Sequence, residues 1–418
     1  MNKSSLIKIF EDQSIGLTLT KEQEADILDL KSIIGENNVS LEADGKLLIK
    51  HYVGFVHINK TRLMIYPKIT WYSSEEVFNQ SFDLLVKMLY HSRFISIKRI
   101  PSPQKLSTYN GDLLELYITL FIDQLLNLLK RDVNRGYIQH SENQSFIKGK
   151  IDFTESIKQN SFRHHIHHVS YDDFSTNILL NRIFKTIIQH LIVITKIQEN
   201  KIKLKQALLW LEDVKPIKIT NEIWKTVKFT RLNSVYRPVF NMAKLFYENS
   251  QPNLNKGDDF TFSFLVPVNR LFEKYLFELI SYNSENEKLT PKYQGPVNYL
   301  GKLNDKNFVQ LNPDISLLDE HNQVRLILDA KYKEAIDQNG NLKISQSDIY
   351  QMLAYSVKNR CNHVALVYPK FLHYNENGPI ISKIDIPVYN HTLQIKVVII
   401  DLGEEFQMMS NILVNSLY

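Results

Sequence analysis

The chain has 418 residues, 44% hydrophobic and 23% charged, with only 13 glycines and 13 prolines; it is long enough for two or three domains and is not a disordered or collagen-like polymer. A single cysteine, Cys361, excludes a disulfide scaffold and a cysteine-rich zinc module, and it suits a reducing compartment. The net charge of +5 permits a polyanionic partner without requiring one.

Taken in chain order, the first stretch, MNKSSLIKIFEDQ, has no long apolar run after its lysine, so no secretory signal is expected. Residues up to about 75 read as mostly β. The runs Leu47 to His57 and Arg62 to Lys68 are rich in β-branched, aromatic and Leu residues, and the polar turn Asn59-Lys60 splits them. Lys21 to Ile34 reads as a short helix within this unit. From Glu75 the period changes, and Val77 to Ser92 and Leu113 to Arg131 place apolar residues at three- and four-residue steps, as amphipathic helices do. Glu115, Asp123 and Gln124 interrupt the second of these, which argues against a membrane span and for a soluble, cytoplasmic protein.

Residues 135 to 172 turn extended again, and Asn177 to Ile197 is strongly helical. Beyond about 265, helix and strand alternate: a helix over 268–282, strands near 308–318 and 323–333, a helix over 345–358, and strands over 363–369 and 394–401. The fold class expected is α+β and multidomain. It comprises a β-rich N-terminal domain (1–75), a mainly helical middle region (76–262) with an extended segment near 135–172, and a C-terminal α/β domain (263–418) with a mixed sheet.

Several motifs are missing or weak. Gly149-Lys150 and Gly301-Lys302 are followed by Ile and Leu and have no glycine five residues earlier, so the chain has no Walker A loop and binds no nucleotide of its own. No G-x-S-x-G elbow occurs. The cluster His164-His165-Ile-His167-His168 has no accompanying acid or cysteine pattern. It reads as a half-exposed strand, with Asp172 and Asp173 as loop or cap residues. Trp210 and Trp224 read as core, and Cys361 as a small core hydrophobe. Lys196 to Arg231 carries nine Lys/Arg against four acids and reads as a solvated helix and loop.

The stretch that carries chemistry is Asn312-Pro-Asp-Ile-Ser-Leu-Leu-Asp followed by Val324-Arg-Leu-Ile-Leu-Asp-Ala-Lys-Tyr-Lys. Leu326 to Leu328 form an apolar run with charges at its end. In a strand, residues i and i+2 share a face, so Asp329 and Lys331 point the same way. A hairpin would bring Asp314 alongside Asp329. Two carboxylates and an ammonium at a sheet edge suit phosphodiester hydrolysis. Asp314 and Asp329, helped by the Ala330 carbonyl, would hold Mg²⁺ (Mn²⁺ could substitute), and Lys331 would offset charge developing on phosphate. Glu273, on the helix opening this domain, is a further candidate for the metal shell. Gln351 and Tyr355, four apart on one helical face, would buttress the site or touch the DNA backbone.

Together these residues resemble the PD-(D/E)xK nuclease core of the subgroup with a Gln-x-x-x-Tyr helix. The whole chain resembles the McrC family, the nuclease subunit of McrBC- and LlaJI-type restriction systems. The likeness is carried by Leu271-Phe-Glu, Pro313-Asp-Ile, Leu328-Asp-Ala-Lys-Tyr-Lys and Asp348-Ile-Tyr-Gln-Met-Leu-Ala-Tyr. In the middle region it rests on Arg135-Gly-Tyr, Ile147-Lys-Gly-Lys-Ile-Asp-Phe, Tyr171-Asp-Asp-Phe-Ser-Thr-Asn and Asn181-Arg, and at the N-terminus on Gly54-Phe-Val and Ile65-Tyr-Pro-Lys-Ile. One departure is Asn312, where the family leads one to expect a basic residue before Pro-Asp.

The resemblance implies a Mg²⁺-dependent DNA endonuclease subunit that cuts double-stranded DNA, with methylated DNA among the candidate substrates, in phage defence. It also implies a hexameric McrB-like AAA+ GTPase partner, on which the N-terminal and middle regions dock and whose hydrolysis they stimulate. The competing expectation is a non-catalytic assembly and GTPase-activating subunit that retains the nuclease fold.

Overall fold

The computed structural model of the chain describes residues 6–16, 27–28, 30–32, 34–42, 45–58, 61–70, 75–95, 101–163, 165–248, 250–252, 260–283, 289–337, 340–371, 379–388 and 391–417. Two compact units emerge: one contains residues 1–113 and 263–418, the other residues 114–262. The chain passes from one unit to the other between residues 262 and 263. At 75–76 the chain stays within one unit, because residues 264–267 return to pair with the N-terminal strands.

The N-terminal strands are β1 (Leu6–Phe10), β2 (Ser14–Gly16), β3 (Val39–Leu41), β4 (Lys46–Ile49), β5 (Tyr52–Ile58) and β6 (Thr61–Tyr66). β4 sits between β2 and β3 in one small sheet; β1, β6 and β5 belong to another, with β1 parallel to β6. The run 47–57, expected as one, is therefore two strands in two sheets. Lys50 and His51 break it, and His51 adopts a left-handed φ of 60°. Alternation sends Leu47 and Ile49 inward to meet Val39, Val56, Ile58, Leu63 and Ile65 in one apolar core. Residues 27–34, helical where described, add Ile27, Leu30 and Ile34 to that core at three- and four-residue steps; the rest of the helix expected over 21–34 lies outside the described residues.

α1 (Glu75–His91) buries Phe82, Leu85, Val86 and Leu89. The short helix α2 (Pro103–Ser107) begins at Ser102, whose side chain accepts the Lys105 N–H. Behind it the loop at Gly111-Asp112 is tied to β6. The Tyr66 hydroxyl donates to the Gly111 carbonyl at 2.8 Å, and the buried Arg62 guanidinium pairs with Asp112.

In the second unit, α3 (Leu113–Leu129), α5 (Leu179–Ile194), α6 (Gln198–Trp210) and α8 (Arg237–Glu248) supply the apolar core. No described helix is long and apolar enough to cross a membrane. Glu115, one of the polar interruptions of α3, is buried. It accepts hydrogen bonds from the Thr195 hydroxyl (2.5 Å) and the Lys196 N–H (2.6 Å) at the α5–α6 turn.

The strands β7 (Gly136–Gln144), β8 (Lys150–Ile151) and β9 (His167–Ser175) form an antiparallel sheet in the order β7-β9-β8. The extended stretch expected over 135–172 is interrupted by α4 (Phe153–Asn160), which the Asp152 carboxylate caps through the Glu155 N–H at 3.0 Å. Asp172 and Asp173 lie within β9 and are not loop or cap residues. Trp224, on the single-turn helix α7 (Ile223–Thr226), is core as expected. Trp210 is not: Leu204, Ala207 and Leu211 already fill the inward stripe of α6 and leave it 46% exposed. A short pair, β10 (Ser250–Pro252) and β11 (Phe260–Phe262), ends this unit.

β12 (Phe264–Pro267) completes the order β1-β6-β5-β12. A Cβ at Gly54 would stand 2.0 Å from the Phe264 carbonyl oxygen, so this pairing requires glycine, which also tolerates the local φ of +127°. α9 (Val268–Asn283) follows directly. Then come β13 (Thr290–Tyr293), the separate hairpin β14 (Asn298–Leu303) and β15 (Lys306–Leu311), β16 (Ile315–Leu318), β17 (Val324–Ala330), α10 (Gln346–Asn359), β18 (His363–Pro369), β19 (Ile380–Val388), β20 (His391–Ile400) and α11 (Phe406–Leu417).

The large sheet is mixed, in the order β13-β16-β17-β18-β20-β19, with β17, β18 and β20 parallel. α10 is the crossover from β17 to β18. Central strands are covered on both faces, which is why 326–329 and 364–369 are continuously buried. The strand expected over 308–318 is two strands in two sheets, separated at Asn312-Pro313-Asp314, where proline has no N–H for a ladder. The strand expected over 323–333 ends at Ala330.

Candidate active site

The antiparallel register of β16 on β17 sets Ile315 opposite Leu328, so the next residues along, Asp314 and Asp329, meet where these two interior strands begin and end. The Asp314 carboxylate accepts the Ala330 N–H at 2.8 Å. Asp329 is buried at the end of its apolar strand and pairs with the Lys331 ammonium. The i, i+2 rule thus holds just past the end of β17, where the Lys331 N–H still donates to the Val367 carbonyl at 2.9 Å.

A hydrogen-bond relay fixes Lys331. Its ammonium donates to Gln351 Oε1 at 2.8 Å, Gln351 Nε2 donates to the Tyr355 hydroxyl at 2.8 Å, and that hydroxyl donates to the Asn312 carbonyl at 3.1 Å. Gln351 and Tyr355 are four apart on α10 and face inward together. The relay ends on the backbone of the residue preceding Pro313-Asp314, so the departure at Asn312 leaves this contact intact.

Asp348, one turn before Met352 on α10, was not singled out from the sequence as a site residue. Its carboxylate lies 2.6 Å from the Lys333 ammonium and 3.6 Å from that of Lys331, and the Tyr368 hydroxyl donates to it at 3.4 Å. A signal was available: Ser345-Gln-Ser-Asp348 is the start of a helix, with the Ser345 hydroxyl accepting the Asp348 N–H at 3.2 Å. In addition, Asp329, Lys331 and Lys333 continue the two-residue period.

Glu273 projects from α9 and accepts a hydrogen bond from Gln294 Nε2 at 3.0 Å. Gln294 in turn follows β13 and donates its N–H to the Asp314 carbonyl at 2.7 Å. Gln294 had no sequence signature.

The electrostatics are those of crowded, buried acids. Burial, then the charges of Asp329 and Glu273, push the Asp314 carboxyl up to about 8. Burial raises Asp329 against the pull of Lys331, and burial raises Glu273 against its hydrogen bond from Gln294. Burial alone would lower the Lys331 ammonium, but Asp329, Asp348 and Asp314 outweigh it and hold it above the ordinary lysine value. For Asp348 the hydrogen bonds from Lys333 and Ser345 overcome burial and keep the carboxyl below its usual range. Burial pushes the Tyr355 hydroxyl up to about 12.

This donor set fits a hard divalent cation. Asp314, Asp329 and Glu273 offer only oxygen, and the first two match the one or two carboxylates that Mg²⁺ typically takes beside waters and phosphate. Their mutual repulsion is the kind a cation relieves. Among the described residues no three Asp, Glu, His or Cys side chains close on a common point.

The histidine segment gathers no such set. His168 is buried and hydrogen-bonded to Ser141 (2.9 Å) and Asn143 (3.0 Å), His165 lies in a turn, and His164 lies outside the described residues. Cys361 is buried, and its thiol donates to the His363 carbonyl at 3.3 Å.

A family model described as "McrBC 5-methylcytosine restriction system component" matches residues 47–369. The chain belongs to the McrC family. Among its relatives is the type IV methyl-directed restriction enzyme EcoKMcrBC of Escherichia coli (strain K12), 22% identical over 238 residues, which make up 55% of this chain and 68% of that protein. A chain from the tetradecameric assembly of Thermococcus gammatolerans McrB AAA+ hexamers with bound McrC shares the fold with a TM-score of 0.72 at 20% identity. That match covers 98% of this McrC-family chain and 100% of the other. A chain of the Thermococcus gammatolerans McrBC complex aligns with a TM-score of 0.51 at 21% identity, over 67% of this chain and 88% of that one.

Proposed function

We propose that the chain is the Mg²⁺-dependent endonuclease subunit of a GTP-dependent, McrBC-type restriction system, with residues 263–418 forming a PD-(D/E)xK nuclease domain. The observation that carries the reading is the meeting of Asp314, Asp329 and Lys331 at the adjoining ends of β16 and β17, with Lys331 held by Gln351.

Asp314 and Asp329 would hold the cation, with the Ala330 carbonyl and Glu273 as further oxygen donors. When bound, the cation would polarise the scissile phosphate and lower the pKa of an attacking water. Lys331, kept charged by its acidic neighbours, would donate to phosphate oxygens and offset the charge that develops there. Gln351 and Tyr355 act through Lys331, holding its ammonium in place.

The partner we propose is an AAA+ GTPase ring, as in the McrB hexamers with bound McrC of the fold relative. This chain has no P-loop, so GTP hydrolysis belongs to the partner. In the middle region Tyr137 and Phe174 on paired strands, Phe153 and Ile157 on α4, and Phe146 and Phe162 beside them in sequence are all exposed, which supports docking there.

The test is cleavage of methylated and unmethylated plasmid in the cytoplasm-like presence of Mg²⁺ and GTP, by this chain together with its AAA+ partner. The reading expects cutting only when both proteins, GTP and Mg²⁺ are present. Cutting that ignores GTP would refute the coupled system.

The alternative is a scaffold, a non-catalytic activator of the GTPase that retains the nuclease fold. Stimulated GTP hydrolysis with no cutting on any substrate would select it.

A further inference from the structure

The hairpin β14–β15 forms a sheet of its own, although in the chain it lies between β13 and β16 of the large sheet. Every residue from Leu300 to Gln310 is exposed. Leu300, Leu303, Phe308 and Val309 are among them, between 47% and 56% exposed. Gly301 stands opposite Phe308, and a Cβ there would meet nothing within 4 Å, so the ribbon itself does not cover the Phe308 ring.

The base of this ribbon is tied to the candidate active site. Asn298 Nδ2 donates to Asn359 Oδ1 at 2.8 Å, and Asn359 Nδ2 donates to the Tyr355 carbonyl at 2.9 Å, both on α10. The second strand passes through buried Leu311 straight into Asn312-Pro313-Asp314, where the Tyr355 hydroxyl donates to the Asn312 carbonyl. The ribbon is therefore anchored by the same helix that holds Lys331, and it is open at its tip. There Asn304 and Asp305 take φ values of 48° and 62°, the positive pair that a tight two-residue hairpin turn uses. Val309 has a φ of 56°, strained for a β-branched residue, and its exposed side chain gains little burial in return. Strain and exposed apolar groups in one short element oppose folding, so the ribbon is retained for a contact outside the chain.

The side chains and dimensions say what that contact is. Lys302 and Lys306 are exposed, and neither is paired with a carboxylate among the described residues. Directly opposed residues share a face, which places Leu303, Lys306 and Phe308 on one face and Lys302 on the other. Ammonium groups suit phosphate, and apolar groups suit base edges such as the thymine methyl. A ribbon with side chains on both faces is about 10 Å thick, which fits the major groove (about 12 Å wide) and not the minor groove (about 6 Å). Phe308 stands about 7 Å behind Lys306 along its strand, within the groove's depth of about 8.5 Å. From Asn298 to Leu303 the ribbon spans about 17 Å, the rise of about five base pairs, so its tip reaches a groove beside a phosphate held at Asp314 and Asp329.

We propose that the β14–β15 ribbon enters the major groove of the duplex being cut, tip first. Leu303 and Phe308 meet base edges, Lys302 and Lys306 each meet one phosphate wall, and the duplex is thereby held for cleavage. The inference rests on the nuclease reading above and adds to it a contact with DNA that takes no part in the chemistry.

The experiment uses the full chain and two variants, Lys302→Ala with Lys306→Ala, and Phe308→Ser. Both alter only exposed side chains, and melting temperatures check that they fold. Binding of a mixed-sequence DNA duplex is read by fluorescence anisotropy without Mg²⁺ over a series of salt concentrations. Steady-state cleavage is read with the AAA+ partner, GTP and Mg²⁺. The double lysine variant is expected to lower the slope of log affinity against log salt by about 2 and to raise KM about ten- to a hundredfold. Phe308→Ser is expected to weaken binding about tenfold with the slope unchanged. In both, kcat at saturating DNA stays at the wild-type value.

Wild-type affinity and slope in both variants overturn the proposal. So does intact DNA binding with loss of partner capture and of stimulated GTP hydrolysis, which would assign the ribbon to the AAA+ ring. If wild type cuts and the variants match it throughout, only the ribbon's contact falls. If wild type cuts nothing under any condition, the nuclease reading falls and takes the ribbon's role in cleavage with it, whatever the variants do to binding.

Discussion

The strand-end edge of the large sheet, where β16 begins and β17 ends, and the β7-β9-β8 sheet treat their side chains in opposite ways. At the edge, groups that prefer water are buried and interlocked: Asp329, Asp348 and Tyr355 are nearly inaccessible, and Lys331 touches Asp329 and Gln351. On the other sheet, α4 and the turn after it, groups that prefer an apolar interior face solvent, and Phe162 is 98% exposed. Each inversion opposes folding locally, so each is retained for something other than stability. The first pattern suits chemistry on a bound phosphate, and the second suits association with another protein.

The sharpest way to break that division is to remove the cation at its centre. Lys331→Ala should reduce cleavage by a factor of about a thousand or more, about 4 kcal/mol of transition-state stabilisation, with partner affinity unchanged in a pull-down or by calorimetry. Loss of partner binding in this variant would show that the edge serves assembly.

Glu11 supplies a test from a buried acid outside the edge. Burial pushes its carboxyl up from the ordinary 4.5 to about 7, with Lys68 pulling it down and Asp12 pushing it up. The folded state therefore favours the protonated form. Glu11's own contribution to stability is therefore fullest below about pH 4.5 and is lost as pH rises through about 7. Glu11→Gln should stabilise the chain by about 3 kcal/mol at pH 8 and by almost nothing at pH 4, measured by denaturant unfolding at both values. Equal effects at the two pH values would mean that Glu11 does not titrate in this range.

On the other side of the comparison, Tyr137→Ser with Phe174→Ser removes a pair of exposed rings 5.1 Å apart on neighbouring strands. Partner affinity should fall about ten- to a hundredfold, while the melting temperature stays within a degree or two of wild type. Unchanged affinity would assign that surface another role. The smallest effect is expected for Gln351→Ala, which leaves Lys331 in place but frees its ammonium. A fall in kcat of about tenfold at unchanged KM is anticipated in the cleavage assay.

The same contrast explains what could be read from the sequence. Long elements with a clean period were legible: α1, α3 and α9 through three- and four-residue steps, and β17 through its apolar run ending in Asp329. The site was legible because its members sit close in sequence, at Asp314, at Asp329-Ala-Lys331 and four apart on α10. Elements with mixed or short patterns were not. α4 is polar over most of its length and is defined by its Asp152 cap, and β13 has four residues, one of them proline. The break between β4 and β5 depends on a left-handed His51 that no local rule demands.

The central claim is tested most directly by Asp329→Ala, assayed in one sample for plasmid cutting and for GTP hydrolysis by the AAA+ partner. The account predicts that cutting disappears while stimulated GTP hydrolysis stays at the wild-type rate. Cutting that survives the substitution would contradict it, because Asp329 would then be part of neither the metal shell nor the reaction.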